Sequence, residues 1–194
     1  MNNIKILIAL LVSTVIFTSQ LNGQVKYTAK GKSEFMLTGT STMHDWEMTS
    51  SSATCDAVFT TDATGKLTGL TNMSFKTPAK MLKSGKGAMD KNAYKALKAD
   101  SNPDISAVLT STTIKTIDSK NYTITSQVKL NIAGKSVNTT LVSNAKINAD
   151  NTISISGEKK IAMTDYDMKP PSFMLGSVKT GNDVVLKYNI TLSK

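Results

Sequence analysis

The sequence predicts an all-β fold: an antiparallel sandwich or closed barrel of about eight strands, with one short helix inserted near residues 88–98. Three observations carry that expectation. Apolar residues alternate with polar ones instead of recurring at helical spacing, and short turn-forming segments separate the alternating runs. Thr and Ser are abundant, at 26 and 21 residues. Alternation places successive side chains on opposite faces of a strand. Connections of a few residues imply antiparallel neighbours.

The chain opens with a segment of a different kind. Met1–Lys5 carries one positive charge, Ile6–Phe17 is an apolar run broken only by Ser13 and Thr14, and small and polar residues follow. This is the order of a secretory signal peptide. The run is too short for a membrane span, which needs about 20 residues. Cleavage after Gly23 is expected, leaving residues 24–194 as one β domain that is periplasmic or secreted. No cysteine lies near that point, which speaks against a lipid anchor.

Strand readings then cover Lys26–Thr38, His44–Ser50, Ala53–Thr60, Lys66–Thr77 and Ile105–Ile117. The clearest alternation follows. Tyr122, Ile124, Ser126, Val128, Leu130 and Ile132 share one parity, with polar residues on the other. Val137, Leu141, Ala145 and Ile147 repeat it, as do Ile153, Ile155, Ile161 and Met163, and finally Val184, Leu186, Tyr188, Ile190 and Leu192. The turn segments Asp62–Gly65, Asp118–Asn121, Ala133–Lys135 and Asn148–Asn151 join neighbours.

Two stretches break the pattern. Ser84–Ala99 is rich in Ala and Lys and could place Met89, Ala93, Tyr94 and Leu97 on one helical face, ended by Asp100–Pro103. Asp165–Gly181 contains Pro170 and Pro171, which cannot sit in a central strand, followed by Phe173, Met174 and Leu175. It reads as a loop over the end of the core, or as the lid of an apolar cavity.

Composition excludes several functions. One Cys and one His cannot build a multi-cysteine or multi-histidine metal site, so no metal or cofactor is expected. All 23 basic residues are lysine, which speaks against base reading in DNA, where arginine dominates. No nucleic-acid partner is expected.

Catalytic signals are weak. In a strand, His44 and Trp46 share a face that Asp45 does not. Cys55 lies in an apparent strand, where a lone thiol behaves as core. Asp165 and Asp167 supply too few oxygens for a calcium loop. Gly134–Ser136 lacks the remainder of a phosphate loop. The chain is therefore not expected to be an enzyme.

The formal charge of +9 is unevenly spread. Seven lysines fall between Lys76 and Lys98 against one acid, Asp90, preceded by Met73 and interleaved with Met81, Met89 and Tyr94. Such a segment suits an anionic lipid surface or head group, at about 1 kcal/mol per lysine near the surface.

The order of these pieces resembles the YceI-like family of exported, lipocalin-like barrels. The elements that carry the resemblance are the leader, the early strand pair around Gly39–Trp46, the Lys/Met-rich loop and helix at Lys80–Asp100, and the strand start Asn102–Ile105. The hairpin through Leu130–Val137 and the apolar final strand after Gly181–Asp183 complete it. The resemblance implies a lumen holding a long isoprenoid-like amphiphile of quinone or polyprenyl phosphate type, for transport or storage.

Small residues at inward positions (Ser126, Thr139, Ser143, Ala145, Gly157) favour an open lumen. The lumen and mouth candidates are then Trp46, Met89, Tyr94, Tyr122, Val128, Leu130, Leu141, Ile155, Phe173, Leu186 and Tyr188. His44, Lys83, Lys86 and Lys91 are candidates for head-group or membrane contact. The alternative is an extracytoplasmic module with a filled barrel, binding a glycan or protein through its loops.

Overall fold

The computed structural model describes residues 23–31 and 33–194. The expected leader lies outside the described residues except for Gly23. The first strands are β1 (Gly23–Ala29), β2 (Glu34–Ser41), β3 (Trp46–Ser50), β4 (Thr54–Thr61) and β5 (Leu67–Pro78). Helix α1 (Gly87–Ala96) follows. Next come β6 (Asp104–Thr116), β7 (Asn121–Ile132), β8 (Lys135–Ile147), β9 (Ile153–Ala162), a two-residue β10 (Ser172–Phe173) and the long β11 (Val178–Ser193). The helix thus lies at the expected place.

Eight strands form a ring in the order β1-β4-β5-β6-β7-β8-β9-β11, closed where Thr28 and Ala29 face Ser193 and Leu192. All of its strand pairs are antiparallel. The architecture is the closed alternative, a barrel. The single strand expected over Lys26–Thr38 is instead two, β1 and β2, with Gly31 in the left-handed region (φ +71°) at the break. The break lets one segment serve two parts of the wall. β1 pairs with the last residues of β11, whereas β2 pairs with its middle through Val184–Asn189.

β2 carries β3 on its other side. The outer edge of β3 is covered by the loop before α1, where the Thr49 and Lys83 backbones exchange hydrogen bonds of 2.9 and 2.8 Å. Covering this edge removes a template for pairing with another chain.

The lower end, where β5, β7 and β9 begin, is filled by side chains. Phe59, Ile153 and Leu192 are wholly buried, and Tyr27 meets Phe59 edge-on at 5.7 Å. The upper end is different. There α1 crosses the barrel between β5 and β6, and the segment from Met163 to Ser177 folds over beside it.

One pairing is incomplete. β8 and β9 are bonded only between Ser143–Ile147 and Ile153–Gly157, so Lys135–Val142 and Glu158–Ala162 diverge. Gly157 sits at the point of divergence. A Cβ there would lie 2.7 Å from Tyr188 Cζ and 2.8 Å from the Val142 carbonyl oxygen, so only glycine fits.

Candidate functional site

Inward residues of the upper strands and the underside of α1 enclose an apolar chamber of about 370 Å³. Leu37, Met48, Ile132, Ile161 and Leu186 form its walls and floor. Met89, Ala93 and Ala96 of α1 and Leu97 form its roof, and Met168, Pro171 and Phe173 close the far side. It reaches solvent between Met43, His44, Lys86 and Ala88, all exposed. Its volume lies in the range of about 300–1,000 Å³ usual for small-molecule sites.

A second chamber of about 80 Å³ lies deeper, among Phe35, Cys55, Phe75, Leu141, Ile155 and Tyr188. Leu186 lines both, the one residue that the two linings share.

Helix and loop are held by specific bonds. The Asp90 carboxylate accepts from the Ser84 backbone N–H at 2.8 Å and its hydroxyl at 2.6 Å. Burial alone would raise the Asp90 pKa, but the Ser84 bonds and the nearby Lys83 charge outweigh it and hold the carboxyl below its ordinary value. The Tyr94 hydroxyl lies 2.7 Å from the Leu82 carbonyl and 2.9 Å from that of Lys80, and accepts from Lys83 Nζ at 2.8 Å. Tyr94 therefore staples the loop to the helix; it does not line either chamber. Its polar tip is drawn to the loop carbonyls, away from the face that Met89 and Ala93 present.

At the mouth, the Trp46 indole lies flat on Gly39 across the β2–β3 pair, and its Nε1–H donates to the Thr40 carbonyl at 3.0 Å. His44 Nδ1–H donates to the Asp45 backbone carbonyl at 2.6 Å, and the histidine is exposed. Cys55 is far from it, in the lower chamber, where burial first and Asp56 second push the thiol up to about 12. A thiol–imidazole pair does not form.

The sequence-derived residues divide by height. Trp46, Met89, Phe173 and Leu186 line the upper chamber, together with His44 and Lys86 at its mouth. Leu130, Leu141, Ile155 and Tyr188 line the lower one, as does Leu186. Val128 is 0% exposed but lines neither chamber, and Tyr122 belongs to the filled lower end. Lys83 is turned onto the Tyr94 ring, 5.2 Å from its centroid, and Lys91 is exposed on the helix; neither lines a chamber. Among the small inward residues, Ser126 and Ser143 line the lower chamber.

Some lining residues were missed by sequence reasoning. Lys159 borders the lower chamber. It follows Ile153, Ile155 and Gly157 on the inward parity of β9, so the alternation did mark it; its charge argued the other way. Met163 and Met168 were missed as chamber residues because a 3-10 turn, Met163–Tyr166, brings them back over the barrel.

An antiparallel eight-stranded barrel with an apolar, mouth-bearing upper lumen defines the class of protein: a barrel built around an internal space. The chain belongs to the YceI-like domain family, whose family model matches residues 13–192. Solved structures with the same fold include BcnA of Burkholderia cenocepacia, 15% identical over 82% of this chain and 95% of that one, at a TM-score of 0.64. A polyisoprenoid binding domain from Saccharophagus degradans, implicated in plant cell wall breakdown, is 8% identical over 86% of this chain and 97% of that one, at a TM-score of 0.65. The Campylobacter jejuni YCEI protein is 17% identical over 72% and 81%, at a TM-score of 0.52. No curated protein matches the chain at a comparable level of significance.

Proposed function

We propose that this protein is an exported lipid container. It binds a long-chain amphiphile of isoprenoid type in the barrel lumen, and it carries or stores that lipid without transforming it. The observation that carries this reading is the apolar chamber of about 370 Å³ under α1, open at one side. Burial of prenyl surface there contributes roughly 25 cal/mol per Å² and imposes no directional chemistry. The polyisoprenoid binding described for the Saccharophagus degradans domain supports the ligand class. The leader-like residues 1–23 support export.

The mouth suits a membrane surface. Met43 is 68% exposed at the chamber entrance, and Leu175 is fully exposed on the loop between Phe173 and Val178, both of which line the chamber. Lys86 borders the same entrance, and Lys91 follows on the helix. Apolar tips flanked by lysines favour contact with an anionic bilayer.

Two measurements test the reading. Titration of the lipid-stripped chain with geranylgeraniol, followed by fluorescence of the single tryptophan, Trp46, should show saturable binding that Ala93→Phe weakens by filling the chamber. Equal binding by wild type and variant would place the ligand elsewhere. Charge reversal at Lys86 and Lys91 should weaken sedimentation with anionic vesicles while leaving geranylgeraniol binding intact. Vesicle binding that ignores both charge reversal and salt would remove the membrane contact.

A further inference from the structure

The incomplete β8–β9 pairing leaves a window in the barrel wall. Below, it is bounded by the last bonded pair, Ser143 and Gly157. Above, the turn Met163–Tyr166 packs against both strands, and Lys135 Nζ reaches Asp167 Oδ2 at 3.0 Å. Along its sides, Val137, Thr139 and Leu141 of β8 have inward parity yet are only half-buried, as is Lys159 of β9. A closed wall would have buried all four.

Lys159 is the unusual member. Leu186 faces it across the β9–β11 pair, and it borders the lower chamber. Its neighbour Lys160 pairs with Asp183 at 2.7 Å, and Asp167 is taken by Lys135, but Lys159 makes no ion pair among the described residues. A lysine so placed lays its methylenes along apolar wall and keeps its ammonium at the opening.

The same chamber holds hydroxyls. Ser143 Oγ and Tyr188 Oη are 2.8 Å apart, so one donates to the other and one proton remains to donate. Burial raises the Tyr188 pKa, partly offset by the Ser143 bond, so the phenol stays protonated and able to donate. Ser126 lines the chamber too. A cation and a spare hydroxyl proton in an otherwise apolar space are complementary to an anion.

We propose that the window between β8 and β9 receives the head group of an anionic amphiphile, a long apolar chain ending in a carboxylate or phosphate. Lys159 is its counter-charge and the Ser143–Tyr188 pair its hydrogen-bond donor. The apolar chain runs from there past Leu186 into the upper chamber. This rests on the lipid-container reading and narrows it in two ways. The ligand is an anion, not a neutral quinone, and its head lies at the side of the barrel, not at the lysines of α1.

The test compares geranylgeranyl phosphate with geranylgeraniol, and palmitate with 1-hexadecanol, by calorimetric titration of the lipid-stripped chain. Wild type should prefer an anion over its alcohol by about tenfold or more, the fold-change of a charge-assisted contact. Lys159→Met keeps the apolar stem and should abolish that preference, leaving alcohol affinity within about twofold. Lys159→Arg should retain it, and Lys86→Met, at the upper mouth, should leave it unchanged.

Preference for the phosphate alone would identify a phosphorylated lipid as the ligand class, and preference for both anions would identify the negative charge as sufficient. A preference that survives Lys159→Met, or that is lost in Lys86→Met instead, overturns the window site but leaves the container. Binding of the alcohol with no anion preference in wild type does the same. Failure of wild type to bind any of the four probes overturns both.

Discussion

Leu186 offers the sharpest perturbation, because its side chain lines both chambers and narrows the passage between them. It is 4% exposed and faces Leu37 on one side and Lys159 on the other. Leu186→Ala should cost about 2–5 kcal/mol, the range for truncating a buried leucine, and lower Tm by about 4–20 °C. The same change joins a space of about 370 Å³ to one of about 80 Å³. A prenyl chain too long for the upper chamber must pass Leu186 or protrude.

Widening that passage should therefore extend the preferred chain by at least one five-carbon unit. Even at the low efficiency of about 0.3 kcal/mol per atom found for larger ligands, that unit is worth about 1.5 kcal/mol, or tenfold in affinity. Titration with farnesol, geranylgeraniol and their longer homologues, read by Trp46 fluorescence, should show the optimum moving to longer chains in Leu186→Ala. An optimum at the same length, with affinity scaled uniformly, would refute the two-chamber lumen.

Other outcomes follow from single contacts. Gly39→Ala should displace the Trp46 indole, since the new Cβ would lie 2.7 Å from Trp46 Cε2; an unchanged tryptophan emission maximum would contradict that packing. Gly157→Ala should destabilise the chain by about 1–3 kcal/mol in a denaturant melt through overpacking against Tyr188 and the Val142 carbonyl, and Tyr188→Phe should not relieve the backbone part of that cost.

The Asp90 pKa is lowered in the folded state, so its contribution is complete above the ordinary carboxylate value of about 3.9 and is lost as pH falls through the folded value. The Tm difference between wild type and Asp90→Asn should accordingly be constant near neutrality and shrink in acid below about pH 4; a difference that grows in acid would reverse the sign of the argument. Cys55, with its thiol pushed up to about 12 and buried, should react with maleimide at neutral pH only when the barrel opens, so labelling should track denaturant.

Alternation made most of the wall legible. β7, β8, β9 and β11 lie where period-2 patterning and short turns put them, because a barrel with one apolar face needs that periodicity along every strand. Parity tells inside from outside but carries no height along the barrel axis. Val128, Tyr122 and Leu141 are all inward, yet Tyr122 fills the closed end, Val128 is packed solid and Leu141 faces open space. Height depends on how strands are staggered around the ring, which is a long-range property.

Tyr94 and Lys159 show the other limit. Tyr94 lay on the expected helical face, but its hydroxyl found carbonyls in the preceding loop. Lys159 lay on the inward parity, but a lysine is ordinarily kept at the surface; only the gap between β8 and β9 makes its position tolerable. Neither gap nor loop leaves a mark in local periodicity.

The central claim is that the lumen holds a lipid, and the contents of the lumen test it most directly. Organic extracts of the purified, full-length expressed protein, measured by mass spectrometry against the protein concentration, should contain a long-chain amphiphile near one molecule per chain, depleted in Leu37→Trp, which fills the upper chamber. Extracts with no lipid above the level found for an unrelated protein, from a barrel that also ignores added geranylgeraniol, would contradict the account.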